Sequence, residues 1–412
     1  MKKILIAVLF LMVSCSVFAQ EASIYSRSGI GIPNYAASVR GMALGEFGIA
    51  STERGYLSVL NPASFSYLVA TRFELGGSVA GTMWSDGNET DFLTSGSFTG
   101  AAFGFPISTT LGLSTLVGLR PYSTLRYDSQ VYTRDAVDSS GNYTTEFSGE
   151  GGLAQFYFAA AIRLPFNIAF GATLDYYSGQ FNYSSDVLFD DVNRFSASFS
   201  QIRKGRGFGT TLGLISPVLS SESWKDFSDW RIGVTFQPGV TLDADSLVSY
   251  SSFYTSDTVT EAGTTMKLPM RLIAGTQFLV GGSTQVNIDY MFQPWEDYRF
   301  TNASSPDLQN AYKISVGAEY FDRKELQYNR EPIRYRASVS YEQTPFKIRG
   351  TGISQLTAAV GMSVPLGMDN SVDFSLQYAH RGTTDSGLLS ENIIKFGIGI
   401  SFGEFWFIRQ EN

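Results

Sequence analysis

Along most of this chain every second side chain is apolar, and no other feature restricts the fold as strongly. From Val372 to Tyr378 the apolar set is Val372, Phe374, Leu376 and Tyr378, with Asp373, Ser375 and Gln377 between them. Ile394, Phe396, Ile398, Ile400 and Phe402 repeat the pattern against Lys395, Gly397, Gly399 and Ser401. A period of two puts alternate residues on opposite faces of a sheet. One face is then oily throughout and the other polar or small. A soluble sandwich hides its oily face under a second sheet. Recurrence along nearly the whole chain suits instead a single closed sheet that turns this face outward into lipid.

The front of the chain reads as an address. Lys2 and Lys3, an apolar run from Ile4 to Val13, and Val17-Phe18-Ala19 follow the order of a secretory signal peptide spanning residues 1–19, with cleavage expected after Ala19. The run is too short for a spanning helix. Cys15 after Val13 and Ser14 leaves a lipoprotein signal as the other reading, with Met12 where leucine is usual. Cleavage after Ala19 removes the chain's single cysteine, and with it any disulfide, thiolate nucleophile or Cys-based metal site. Further on, no run of about 20 apolar residues occurs, which excludes a helical membrane protein. The chain holds 41 Gly, 22 Tyr and 32 Phe but only 17% charged residues. Aromatics gather where strands leave the hydrocarbon, and glycine relieves crowding inside a barrel. A net charge of -8 disfavours nucleic acid, which selects basic clusters.

Two textures divide the remainder. Residues 20–70 lack the alternation and are punctuated by Gly29, Gly31, Gly41, Gly45, Gly48 and Gly55, so they are expected to form compact loops and short helices that act as an N-terminal plug, or hatch. Residues 71–412 are expected to form an all-β transmembrane antiparallel barrel of about 14 strands. The predicted strand cores are Thr71 to Met83, Ser95 to Phe105, Thr110 to Tyr122, Tyr143 to Ile162, Asn167 to Tyr183, Arg194 to Ser216 and Asp229 to Thr241. They continue with Met266 to Val280, Ser283 to Gln293, Asn310 to Phe321, Pro332 to Glu342, Ser354 to Val364, Ser371 to Arg381 and Glu391 to Trp406. Even-numbered strands mostly end in tight turns, as at Gly281-Gly282. Odd-numbered ones run into longer polar connections such as Ser123 to Asn142 and Leu242 to Thr265. Short turns on one rim and long loops on the other are the habit of outer-membrane barrels.

Arg231, Arg271, Asp289, Glu319, Arg334, Arg336, Asp373 and Lys395 interrupt apolar neighbours at period two, which assigns them to the lumen. Facing lipid near the midplane, an Arg or Lys would cost about 2–4 kcal/mol. Such charges either pair with one another and brace the plug, or one or two of the arginines receive a ligand carboxylate through their planar donor forks.

Several features together resemble the FadL family of outer-membrane long-chain fatty acid and aromatic hydrocarbon transporters. Asn61-Pro62-Ala63 closes the glycine-rich front segment, Lys267-Leu268-Pro269 opens a strand after a long loop, and Tyr341-Glu342-Gln343-Thr344-Pro345 ends another. The ending Trp406 to Arg409 is similar to that of Bacteroidetes-type members, although the front segment is not identical to the enterobacterial plug. The resemblance implies a monomeric barrel in the bacterial outer membrane that takes hydrophobic small molecules passively, with no cofactor, metal or enzyme chemistry. It also implies a hatch motif at Asn61, Pro62 and Ala63, and a kinked third strand beside a gap in the wall, here near Gly118 and Pro121. Proline withholds a ladder hydrogen bond and glycine weakens a strand; the other reading of Pro121 is that it marks a strand rim. Candidate ligand contacts are Arg271, Arg334, Arg336, Phe181, Phe199 and Phe253. Phe181, Tyr183, Phe189, Phe195, Phe199, Tyr250, Phe253 and Tyr254 form either an outer apolar groove or an interfacial aromatic girdle.

A barrel hydrolase is disfavoured. The one histidine, His380, has Gly382 where a serine two residues on would be needed. Asp190-Asp191, Asp243 and Asp245 read as solvated loop acids before they read as a loose divalent site. The partners expected are a hydrophobic small-molecule ligand and outer-membrane lipid, with no nucleic acid. A polar-solute porin or a structural barrel is the alternative.

Overall fold

The computed structural model describes residues 22–404 apart from 88, 135–141, 192, 221–225, 254, 302, 306, 323–330 and 368. The expected signal peptide, Cys15, Tyr254 and the Trp406 to Arg409 ending lie outside the described residues.

Alternation decides the architecture. In chain order the strands are β1 (Ile32–Pro33), β2 (Thr71–Ser85), β3 (Thr90–Ser108), β4 (Leu113–Thr133), β5 (Tyr143–Arg163), β6 (Ala169–Phe189), β7 (Ala197–Ile215), β8 (Phe227–Gln237), β9 (Val240–Ser252) and β10 (Ser256–Leu268). They continue as β11 (Arg271–Val280), β12 (Thr284–Gln293), β13 (Arg299–Phe300), β14 (Ala303–Ser304), β15 (Ala311–Phe321), β16 (Arg334–Ile348), β17 (Thr351–Gly367), β18 (Asn370–Gly382) and β19 (Ser390–Glu404). All pairing is antiparallel, and β19 closes on β2 from Ser390 opposite Ser85 to Glu404 opposite Thr71. β7 pairs with both β8 and β9, and β11 and β10 continue them side by side, so each collinear pair is one wall strand broken at Pro238 or Pro269. Proline offers no N–H to the ladder, which explains both breaks. With β12–β13 and β14–β15 merged in the same way and β1 set apart, the wall has 14 strands.

Val79, Val117, Phe158, Leu174, Leu214, Val360, Leu376 and Ile394 stand outward and exposed, while their neighbours in sequence point in and are buried. The apolar parity therefore faces out, as the periodicity predicts. All 14 predicted strand cores fall on wall strands. Several strands run further than predicted, however. Of the two connections read above as loops, Ser123 to Asn142 and Leu242 to Thr265, the parts Ser123 to Thr133, Leu242 to Ser252 and Ser256 to Thr265 continue the ladder: Tyr143 pairs with Thr133, and the β9–β10 hairpin runs from Val240 opposite Leu268 to Ser251 opposite Ser256. On this raised flank residues of both parities are exposed, as from Ser256 to Glu261. With water on both faces no hydrophobic period is required, so the pattern fades while the backbone pairing persists.

The front segment, residues 22–70, is mostly buried and packs against inward faces of the wall. Its helix α1 (Val39–Ala43) is capped by Ser38, whose hydroxyl accepts from Gly41 N–H at 3.0 Å, and it lies against β17, β18 and β19. A 3-10 helix, Pro62–Tyr67, lies along one side of the lumen against β5, β6 and β7.

Candidate functional site

From the short-turn rim upward the lumen changes chemistry. Lowest is an ionic layer centred on Glu319, which is fully buried and receives Arg40 and Arg334 at 2.9 Å as well as Arg336. Arg40 and Arg334 both reach Glu53 of the front segment, and Arg336 reaches Asp373 at 3.3 Å and the Ser363 hydroxyl at 2.6 Å. Two of the arginines proposed from sequence for a ligand, Arg334 and Arg336, thus turn their forks to carboxylates of the chain itself. Asp289 accepts from the N–H groups of Gly48 and Ile49 at 3.0 and 3.1 Å. Lys313 sits between Glu46 and Glu342. Higher up, Glu391 takes the Ser23 hydroxyl at 2.7 Å and Arg381 at 3.1 Å. Each of these ties joins the front segment to the wall or braces the wall beside it. Arg231 meets Asp229 and the Tyr67 hydroxyl, each within 2.9 Å.

Asn61, Pro62 and Ala63 dock on β6 and β7. The Asn61 side chain accepts from Ala63 N–H at 3.1 Å and donates to Ile49 C=O at 2.7 Å and Leu214 C=O at 3.2 Å. Gly171 and Gly213 make this approach possible, since a Cβ on either would overlap Pro62 or the Asn61 amide.

At mid-height Arg271 is 4% exposed and covers the Tyr122 ring at 5.4 Å, with no ion pair among the described residues. Arg120, which the sequence reading passed over, lies at the same level and bonds Gln155. It escaped notice because it sits two residues before the strand changes phase.

Above this belt, apart from Glu391 and Arg381, the lumen is largely apolar. Tyr122, Leu125, Tyr127, Leu153, Tyr177 and Phe181 pack with Leu242, Met266, Leu268 and Trp295, and Tyr25, Ile30 and Ile32 of the front segment fill the centre. Phe181 is therefore a lumen residue, not a loop one. Phe199 meets Tyr250 at 5.1 Å on the raised flank, and Phe253 stacks on Phe195 at 4.0 Å while 69% exposed. The structure does not gather Phe181, Phe199 and Phe253 into one groove. Tyr183 lies under Arg203, and Phe189 packs on Tyr143.

Beside this compartment the wall parts. β3 and β4 pair only from Ala101 opposite Leu119 to Ser108 opposite Leu113, with Gly118 inside this stretch. Above it β3 stays with β2 and β4 stays with β5, the latter through a bulge between Pro121 and Ser123. The freed edge of β4 is taken by the front segment. Ile32 lies opposite Thr124, Asn34 N–H donates to Tyr122 C=O at 2.9 Å, and Ser23 N–H donates to Arg126 C=O at 2.9 Å. A cavity of about 60 Å³ lies here, lined by Ile32, Asn34, Tyr35, Phe98, Pro121 and Phe346 among others, Lys395 included. A second cavity of about 470 Å³ at the lower rim is bordered by Tyr56, Arg72, Glu74 and Asp369.

His380 faces out, its Nδ1 3.0 Å from Asn392 Oδ1. Asp243 and Asp245 lie on strand β9 rather than in a loop. Among the described residues no three His, Cys, Asp or Glu side chains group as metal ligands.

A family model described as BamG matches residues 1–411. No curated protein sequence matches the chain. Among solved structures it is similar to the CymD monoaromatic hydrocarbon channel, with 14% identity over 92% of this chain and 100% of that one and a TM-score of 0.59. It is also similar to the Ralstonia pickettii toluene transporter TbuX, with 16% identity over 90% and 98% and a TM-score of 0.56. A Pseudomonas aeruginosa FadL homologue matches with 11% identity over 90% and 99% and a TM-score of 0.61. At such identities the likeness establishes the fold, which is that of FadL-type barrels.

Proposed function

Because this chain belongs to the BamG family and has the FadL-type barrel fold, we propose that it is a passive channel of the bacterial outer membrane for hydrophobic small molecules, with residues 22–70 as its movable plug. One observation carries the reading: an apolar upper lumen adjoins a stretch of wall where β3 and β4 are unpaired, and among the described residues the front segment occupies that edge. A greasy solute entering from the long-loop side meets apolar surface, worth roughly 25 cal/mol per Å² removed from water. Displacing Ile32 and its neighbours would open a sideways exit into the bilayer without crossing the ionic layer. Monoaromatic hydrocarbons and toluene, named for the neighbours CymD and TbuX, and long-chain fatty acids all meet these demands, and the pocket chemistry favours none of them.

A second reading, a structural barrel, is supported by the density of ties that hold the front segment, from Ser23 to Asn61. Vesicles reconstituted with the full chain separate the two. Transfer of labelled oleate or toluene above that of empty vesicles supports the channel. Transfer of neither, with no sugar-driven swelling, supports the structural barrel. Swelling with sugars and no apolar transfer overturns both in favour of a porin.

A further inference from the structure

Two buried cations of the mid-height belt have no anionic partner among the described residues. Arg120 faces Gln155 across β4 and β5, Gln155 faces Tyr177 across β5 and β6, and Arg271 faces Gln237 across β11 and β8. Arg120, 4% exposed, donates from Nε to Gln155 Oε1 at 2.8 Å and leaves a buried Nη1 without a partner. The Arg271 side chain makes no hydrogen bond or ion pair among the described residues; its contact is the face of Tyr122. From the front segment, Asn34 Nδ2 and the Tyr35 hydroxyl arrive buried and equally unpartnered. Tyr35 is within Coulombic reach of Arg271, and Tyr177 is within reach of both arginines. The acids nearby are engaged elsewhere. Asp175 receives the hydroxyls of Thr173 and Thr211 at 2.8 Å, while Glu46 and Glu342 share Lys313.

A buried donor left without an acceptor is costly, and a charged one more so. Gln237 Oε1, opposite Arg271, and Gln293 Oε1 are buried acceptors left open at this level, but neither carries a charge, and two arginines without an anion describe a site for one. The guanidinium fork matches carboxylate and phosphate oxygens in pairs. We propose that this belt binds one oxyanion, of the carboxylate or phosphate class, held by Arg120 and Arg271 from the wall and by Asn34 and Tyr35 from the front segment. The anion thereby pins the front segment to the wall beside the β3–β4 opening. A free small oxyanion and the head of an amphiphile offer the same chemistry; an amphiphile would also place its tail in the apolar compartment above. The proposal concerns binding and holds whether or not cargo passes.

Thermal unfolding of the full chain in a neutral detergent tests it, with acetate, inorganic phosphate, octanoate and uncharged octanol as probes at constant ionic strength. A ligand that binds the folded state alone raises the midpoint. The expected result is a rise with at least one anion, none with octanol, and loss of the rise in Arg120→Gln/Arg271→Gln. A rise with acetate or phosphate identifies a free oxyanion; a rise with octanoate alone identifies an amphiphile head. Arg271→Lys, which keeps the charge and loses the fork, is the milder variant should the double one fail to fold, and it should respond more weakly than the natural chain. No rise with any anion, or an equal rise in the variants, overturns the proposal.

Discussion

At the scale of single residues the lumen is governed by whether a charge has found its partner. Glu319 holds Arg40, Arg334 and Arg336 together, and removing one member of a buried ionic set leaves the others uncompensated, at about 3–5 kcal/mol. Glu319→Gln should therefore lower stability by about that amount and loosen the front segment first, seen as faster protease cleavage within residues 22–70 at temperatures where the wall stays folded. Tyr56 gives a pH signature in the same segment. Its hydroxyl lies 2.6 Å from the Ser38 hydroxyl, and burial, with Glu74 adding to it, pushes its pKa up to about 12 from 10. The unfolded chain then loses this proton first, so stability is intact below pH 10 and falls as pH rises from 10 to about 12. Tyr56→Phe should flatten that part of an unfolding-versus-pH curve; an unchanged slope would assign the loss to other groups. The sequence marks Arg271, Arg334 and Arg336 as lumen residues by parity alone. It does not separate the paired from the unpaired, because Arg336 meets Glu319 only once β15 and β16 are in register, and Arg334 meets Glu53 only after the front segment has folded into the barrel.

At the scale of elements, the period of two locates every wall strand because each has one face against the packed lumen and the other in an apolar surrounding. It loses the raised ends of β4, β6, β9 and β10, where that asymmetry is gone. The parting of β3 from β4 is half legible. Pro121 signals a break, but the occupant of the freed edge is a two-residue strand nearly a hundred positions earlier, with nothing periodic to announce it. Whether that occupant must leave for passage can be tested by locking it. Ile32 and Thr124 are directly opposed in an antiparallel pair, at a separation a disulfide can bridge. Ile32→Cys/Thr124→Cys should transfer apolar cargo when reduced and lose most of that transfer when oxidised. Equal transfer in both states would mean that the front segment does not move aside at β4.

At the scale of the whole molecule the fold presents three surfaces: an apolar exterior belt, a lumen that grades from ionic to apolar, and a raised flank with residues of both parities exposed. The grading makes sense only if the exterior belt is bathed in hydrocarbon, since a wall so apolar outside would aggregate in water. Val360 on β17 and Val259 on β10 discriminate, because both are about half exposed, at 53% and 47%, and both face away from packed protein. Val360 stands among Val316, Val339 and Leu376 in the middle of the belt, whereas Val259 lies near the tip of the raised hairpin. Val360→Arg should cost about 2–4 kcal/mol in the urea-unfolding equilibrium of the chain in lipid vesicles, and Val259→Arg about 0–1 kcal/mol. The contrast should shrink when the same pair is compared in detergent, whose micelle tolerates a charge better than a bilayer midplane does. Equal costs in vesicles would place both positions in the same surroundings. The raised flank would then belong to the membrane-spanning wall, and the sideways exit at β3 and β4 would have no depth in the bilayer distinct from it.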